Sequence, residues 1–400
     1  MNDRQLMVVT VGLCFLIAVL EGFDIQAMGV AAPSLAREFA FAPAQMKWIF
    51  SISNIGLVIG ASFGGWLADR WGRKPVFIAA VAIFGAFTLL TTLSGTYETL
   101  LAVRFCAGLG FGAALPNMMA IASEISRPEK AAFTAAAMFC GMPVGGGLSA
   151  LVTQLLPHGF DWRELFLLGG ILPLLLIPAL LRLMPETLSR VGGNRDRGAS
   201  VGEALFGDGR TGVTLLLWLT FLPTLLILYL ILNWLPTLVI ANGFDSATAP
   251  RTSLAFNFGS VVGALVFGHL TDRFHYRWPL TFAYIALITA LFGLGEVRSE
   301  ALTVLLSGVV GFFLLGANYA LYGIAPVYYP APMRGTGSGA SVAIGRVGSI
   351  LGPLLGGILL SGGTSASGVV RNMVPVAAVA AVAVFALSFR SAQRSREAVA

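Results

Sequence analysis

Apolar residues in this chain come in long runs, neither alternating as in strands nor confined to one stripe as in soluble helices. Twelve such runs lie near 6–32, 48–68, 75–94, 99–122, 131–156, 165–183, 212–240, 252–271, 278–295, 302–326, 336–361 and 370–389. Each is long enough to cross roughly 30 Å of hydrocarbon as a helix rising about 1.5 Å per residue. In lipid only helices and closed barrels satisfy every backbone group, and the missing alternation excludes a barrel. The pattern predicts an all-α membrane protein of twelve transmembrane helices in two pseudo-symmetric six-helix bundles. Residues 1–184 form the first bundle, 185–210 a cytoplasmic linker, 211–389 the second bundle and 390–400 a cytoplasmic tail.

The division into halves is written in a repeat. Gly65-Trp66-Leu67-Ala68-Asp69-Arg70-Trp71-Gly72-Arg73-Lys74 reads as a short loop between two apolar runs, and Gly268-His269-Leu270-Thr271-Asp272-Arg273 echoes it 203 positions later. The same offset pairs Asn54, Gly56, Val58, Gly60 and Ala61 with Asn257, Gly259, Val261, Gly263 and Ala264, giving nine identities in seventeen positions. A duplicated helical membrane protein is the expected build of a secondary transporter, whose substrate site is expected between the repeats.

Composition supports the membrane reading: 56% of residues are hydrophobic and 11% charged, with a mean hydropathy of +0.83. Basic residues crowd one side of the expected spans (Arg70, Arg73, Lys74; Arg127, Lys130; Arg273, Arg277; Arg390, Arg394, Arg396). The other side has Arg37, Lys47, Arg163, Arg251, Arg298 and Arg371. This asymmetry predicts both termini in the cytoplasm, so the net charge of +6 reports topology rather than nucleic-acid affinity. The segment from Leu6 resembles a signal peptide, but its removal would break the repeat, so it is expected to stay as a span. Cys14, Cys106 and Cys140 lack disulfide or metal spacing, and no metal is expected.

Glycines recur every four residues at Gly56, Gly60, Gly64; Gly108, Gly112; Gly259, Gly263; and Gly348, Gly352, Gly356. Such ridges let helices approach closely. Gly108-Leu109-Gly110-Phe111-Gly112 imitates a nucleotide-binding fingerprint, yet it sits mid-span without the strand that chemistry requires. Pro143 and Pro353, each among glycines, mark either hinges or packing kinks.

Four ionisable residues stand out deep inside the runs, where burying charge is costly. Glu21 and Asp24 share a face of the first helix, roughly 18 Å and 13 Å below its outer end when counted back from Pro33. Arg104 lies at a depth similar to Asp24, and Arg346 near the midplane. Asp24 paired with Arg104 would keep its charge, leaving the deeper Glu21 as the better proton carrier. Arg346 offers a planar fork for a substrate carboxylate; Glu21 and Asp24 are the proton-coupling candidates, and Arg104 joins Arg346 among the substrate-binding ones. The alternative is that these groups only lock helices together. Positions 203 beyond Glu21 and Asp24 hold Thr224 and Ile227, and residues that act once on one substrate need not recur.

Tyr229 and Asn233 on the seventh run, with Asn318, Tyr319 and Tyr322 on the tenth, form polar aromatic faces suited to a small aromatic molecule. Tyr328 and Tyr329 are expected at the membrane interface. The repeated loop is assigned to gating through Gly65, Asp69, Arg70, Gly72 and Arg73, and through Asp272 and Arg273. A carboxylate there can accept bonds from the amides at a neighbouring helix start.

The Gly65–Lys74 signature and Arg104-Phe105-Cys106-Ala107-Gly108-Leu109-Gly110 resemble the motifs of the major facilitator superfamily, over essentially the whole chain. Within it, Glu21-Gly22-Phe23-Asp24 resembles the acidic motif of the aromatic acid/proton symporter family, with Glu21 replacing the usual aspartate. The pieces Leu20–Ala27, Gly112-Ala113-Ala114-Leu115-Pro116-Asn117 and Leu232-Asn233-Trp234-Leu235-Pro236 are similar to the branch that carries 3-(3-hydroxyphenyl)propionate. The resemblance implies proton-driven import of a phenolic or phenylpropanoid carboxylate across a bacterial inner membrane. It also implies a proton gradient in place of any cofactor, a monomer, and Asn117 among the substrate-binding residues. Pro143-Val144-Gly145-Gly146 resembles part of an antiporter motif, so a multidrug/proton antiporter is the alternative, although Met142 stands where that motif has glycine. An intramembrane enzyme is disfavoured, because His158, His269 and His275 fall near run ends and no HExxH or GxSxG occurs. A sensor would need an appended signalling segment.

Overall fold

The computed structural model describes residues 3–125, 131–155, 161–187, 200–274, 276–330 and 333–397. The chain divides into two compact units, Met1–Gly193 and Asn194–Ala400. The first contains α1 (Asp3–Glu38), α2 (Pro43–Trp71), α3 (Arg73–Thr91), α4 (Tyr97–Ile125), α5 (Ala131–Leu155) and α6 (Trp162–Leu183). The second contains the short α7 (Val201–Phe206), then α8 (Thr211–Ala241), α9 (Thr248–Arg273), α10 (Arg277–Glu296) and α11 (Glu300–Ile324). A 3₁₀ turn (Ala325–Tyr328), α12 (Arg334–Ser361), α13 (Ala366–Arg371) and α14 (Met373–Glu397) complete it. Among the described residues there is no strand.

Eleven helical segments among the described residues are long and apolar enough to cross a bilayer, α13 and α14 together forming one of them. The remaining expected run coincides with α5, of 25 residues, several of whose side chains fall outside the described residues. The linker core at 188–199, the basic pair Arg127 and Lys130, and the side chains of Arg390, Arg394 and Arg396 also fall outside them.

Helices extend past the apolar runs, because backbone hydrogen bonding does not stop where side chains turn polar. The signature expected as a loop shows this most clearly. Gly65–Trp71 continues α2, Arg73 and Lys74 open α3, and only Gly72 separates them, at φ +99°. A residue with a Cβ is strained there, so one glycine makes the whole corner. Its echo likewise belongs to α9. Polar caps close other ends: Asp161 accepts the Arg163 amide at 3.0 Å to start α6.

Packing within each unit follows the glycines, in the same register. A methyl group added at Gly56, Gly60 or Gly108 would run into the carbonyl oxygens of Phe105, Leu109 and Ser53 respectively, so α2 and α4 touch backbone to backbone. The counterparts Gly259, Gly263 and Gly311 meet the carbonyl oxygens of Gly308, Phe312 and Phe256. All six pairs are related by 203 positions. The α1/α5 contact obeys the same rule: Gly145 abuts Val19 and Phe23, and Gly348 on α12 abuts Leu222 and Leu226 on α8. Gly22 on α1 makes room for Met142, whereas its counterpart Leu225 is accommodated by Gly345. These contacts assign the glycine-rich pieces to helix packing.

Candidate functional site

In the first unit this packing encloses charge. Asp24 on α1 is 0% exposed and Arg104 on α4 is 1% exposed. Arg104 Nη1 donates to both Asp24 oxygens, at 2.9 and 3.2 Å, and its Nε donates to Ser53 Oγ on α2 at 3.2 Å. The Phe166 ring of α6 lies 5.3 Å from the guanidinium. Gly169, also on α6, leaves room beside Asp24: a Cβ there would lie 3.6 Å from its Oδ1. A buried pair of this kind holds together because each partner compensates the other's lost hydration. Glu21, one turn away on α1, is also 0% exposed and presents no surface to lipid.

Asn117 is buried on α4, where its Nδ2 donates to Ala113 O at 2.8 Å and to Gly64 O of α2 at 3.4 Å. The amide as found ties α4 to α2. Gln26 is likewise buried, and Gly146 on α5 is what admits its amide.

The second unit carries a different set. Half-buried Arg346 on α12 donates through Nη1 to the Tyr229 hydroxyl on α8 at 3.0 Å. Tyr322 on α11 lies within electrostatic reach of both and packs edge-on against Phe221, with ring centroids 5.5 Å apart. Asn233 is buried and donates to Tyr229 O at 2.7 Å. Asn318 is buried and Tyr319 half-buried on α11. The expected aromatic face is thus drawn together by Arg346, Tyr229 and Tyr322.

Two tyrosines contradict their assignment. Tyr328 and Tyr329, expected at the membrane interface, are buried. The Tyr329 hydroxyl shares a 2.9 Å bond with Thr214. Tyr328 donates to Leu387 O at 3.1 Å and bonds the Tyr276 hydroxyl. The 3₁₀ turn after α11 folds both rings into the unit, where each hydroxyl finds a partner.

At the α2/α3 corner, Asp69 and Arg70 are exposed, with Arg70 4.3 Å from the Trp66 ring. Gly65 has nothing within 4 Å of a built Cβ. Arg73 pairs with Glu124 on α4 at 2.8 Å. The carboxylate at the start of α3 belongs to Glu186, just past α6 at the beginning of the expected linker. Its oxygens accept the amides of Arg73 and Lys74 at 3.1 and 3.2 Å, and Gly72 leaves it room. In the echo, Arg273 lies 5.9 Å from the Phe274 ring, while the side chain of Asp272 lies outside the described residues. So do His158 and His275; His269 is exposed on α9.

Two helical repeats built in one register, one enclosing an acid–guanidinium cluster and the other a guanidinium among tyrosines, have the build expected of a secondary transporter. The chain belongs to the major facilitator superfamily, whose family model matches residues 14–295 and 252–399. It is 40% identical over 97% of its length to the 3-(3-hydroxyphenyl)propionate transporter of Escherichia coli K12, covering 96% of that protein. It is 36% identical to a 4-hydroxybenzoate transporter of Pseudomonas aeruginosa, over 93% of this chain and 90% of that one. The crystal structure of a nucleoside transporter shares the fold at 16% identity, with a TM-score of 0.77 over 96% of this chain and 99% of that one. The protein is a multi-pass membrane transporter and not an enzyme.

Proposed function

We propose that this transporter imports an aromatic carboxylate by proton symport, with 3-(3-hydroxyphenyl)propionate or a related phenolic acid as substrate. The observation that carries the reading is the full enclosure of Glu21 one turn from the compensated Asp24–Arg104 pair. A carboxylate so placed is costly to keep ionised, and taking up a proton relieves that cost. Asp24 is held by Arg104 at 2.9 Å one turn away.

The substrate class rests on the relatives named above and on Arg346, whose planar fork suits a carboxylate. Tyr229, Tyr322, Tyr319, Asn233 and Asn318 supply ring faces and polar groups around the aromatic moiety. The proton gradient is the energy source, no cofactor takes part, and the site opens alternately to either side. The protein works as a monomer in a bacterial inner membrane with both termini in the cytoplasm. The corner of Asp69, Arg70, Gly72 and Arg73, and its echo at Asp272 and Arg273, act in gating. The antiporter reading loses its main support, because Gly145 is explained by packing on α1 and recurs as Gly348.

The test is uptake into proteoliposomes. An imposed inward proton gradient should drive accumulation of labelled 3-(3-hydroxyphenyl)propionate by the wild type. Glu21→Gln should abolish this accumulation while leaving substrate counterflow measurable. Equal loss of both activities would assign Glu21 to structure, and a wild type that accumulates no aromatic acid would overturn the substrate class.

A further inference from the structure

Asn318 is only 4% exposed, and its Oδ1 has no hydrogen-bond partner among the described residues. An amide oxygen withdrawn from water without a donor is unfavourable, and such atoms are rare in native proteins. The scaffold does not ask for an amide here. The position 203 residues earlier is Leu115, on α4, in the unit that otherwise packs in the same register.

The surroundings say what the oxygen faces. Asn318 and Tyr322 are four residues apart and share one face of α11. Tyr322 packs on Phe221 of α8 and lies within electrostatic reach of Arg346 and Tyr229. Gly345, next to Arg346 on α12, is admitted by that same stretch of α8: a Cβ there would lie 2.6 Å from Leu225 and 3.3 Å from Phe221. So α8, α11 and α12 converge at one level. There they bring together the guanidinium proposed to hold the carboxylate and, one helical turn (about 6 Å) from Tyr322, an unsatisfied acceptor.

We infer that Asn318 reads a ring hydroxyl: its Oδ1 accepts the phenolic O–H of an aromatic acid whose carboxylate is held by Arg346, selecting phenolic over unsubstituted acids. The inference rests on the proposed aromatic-carboxylate function and adds the group that discriminates within that class. An unsubstituted ring leaves the buried oxygen unpaired, and sites built around a substrate hydroxyl reject the analogue that lacks it.

The experiment is competition against labelled 3-(3-hydroxyphenyl)propionate in proteoliposomes, comparing the unlabelled phenol with 3-phenylpropionate. The wild type should prefer the phenol by about tenfold or more. Asn318→Leu and Asn318→Ala should each bring the ratio of the two inhibition constants close to one. A ring-amino analogue, which can still donate, should compete like the phenol in the wild type. A wild type with no preference, or variants that keep it, would overturn the inference while leaving aromatic acid transport intact. Absence of uptake of any aromatic acid would instead fall on the proposed function. A wild type without the preference overturns the inference even if neither variant inserts into the membrane, and Asn318→Asp, which keeps an acceptor, should keep the preference that Asn318→Leu loses.

Discussion

The two units share their packing almost position for position and differ in what they bury. Gly56, Gly60, Gly108 and Gly145 have packing counterparts at Gly259, Gly263, Gly311 and Gly348. The charged cluster has none: Glu21, Asp24 and Arg104 correspond to Thr224, Ile227 and Ser307. Where the first unit places Glu21, the second places Thr224 in a 2.5 Å hydrogen bond with Tyr284. Close helix packing therefore does not require the ions. Their confinement to one copy supports the proposed assignment to transport rather than to the scaffold.

The most severe way to probe this contrast is Asp24→Asn, which strands the Arg104 guanidinium inside the first unit. Removing one partner of a buried pair costs about 3–5 kcal/mol, so thermal unfolding in detergent should fall steeply and uptake should vanish. The double change Asp24→Leu with Arg104→Met should recover much of the stability and none of the transport. An Asp24→Asn protein that melts like the wild type would show that Arg104 does not depend on the Asp24 charge for its burial.

In the second unit the matching perturbation should be mild. Tyr284→Phe removes one neutral hydrogen bond, worth about 0.5–1.5 kcal/mol. Thr224 keeps its bond to Thr220 O at 2.7 Å, so no buried group is orphaned. Gradient-driven uptake should persist. A loss as deep as that of Asp24→Asn would erase the distinction between a charged and a neutral core.

Much of this was legible in the residues, for identifiable reasons. Run length alone separates membrane helices from soluble ones, and the repeated glycines announce the packing register. Counting depth from Pro33 brought Asp24 level with Arg104, and the structure pairs them. What was not legible depends on where the backbone turns or on main-chain donors and acceptors from other helices. The signature read as a loop became helix because Gly72 alone makes the turn. Tyr328 and Tyr329 were misjudged because the 3₁₀ turn that folds them inward has no apolar period. Asn117 gives no sign in the sequence that its amide reaches Gly64 O. Glu186 was hidden because its partners are main-chain amides 112 and 113 positions away.

The smallest predicted effect sets these two corners against each other. At the start of α3, the Glu186 carboxylate accepts two amides, while Lys74 Nζ donates to Leu181 O at 2.8 Å. The counterparts of Glu186 and Lys74 are Phe389 and Arg277, and there the guanidinium lies 4.4 Å from the aromatic ring. One corner is closed by an anion on a helix N-terminus and the other by a cation on a π face. Glu186→Gln keeps one acceptor but loses the charge, a change worth about 0.3–1 kcal/mol at low ionic strength. Phe389→Leu should cost a similar amount, about 0.5–1 kcal/mol. Salt separates them: the glutamate effect should shrink as ionic strength rises and screens an exposed charge from the helix end. The phenylalanine effect should persist, because the guanidinium meets the ring at 4.4 Å, well inside the screening length. Melting temperatures of both variants at low and high salt make the measurement, and identical salt responses would mean that the two corners close by the same physics after all.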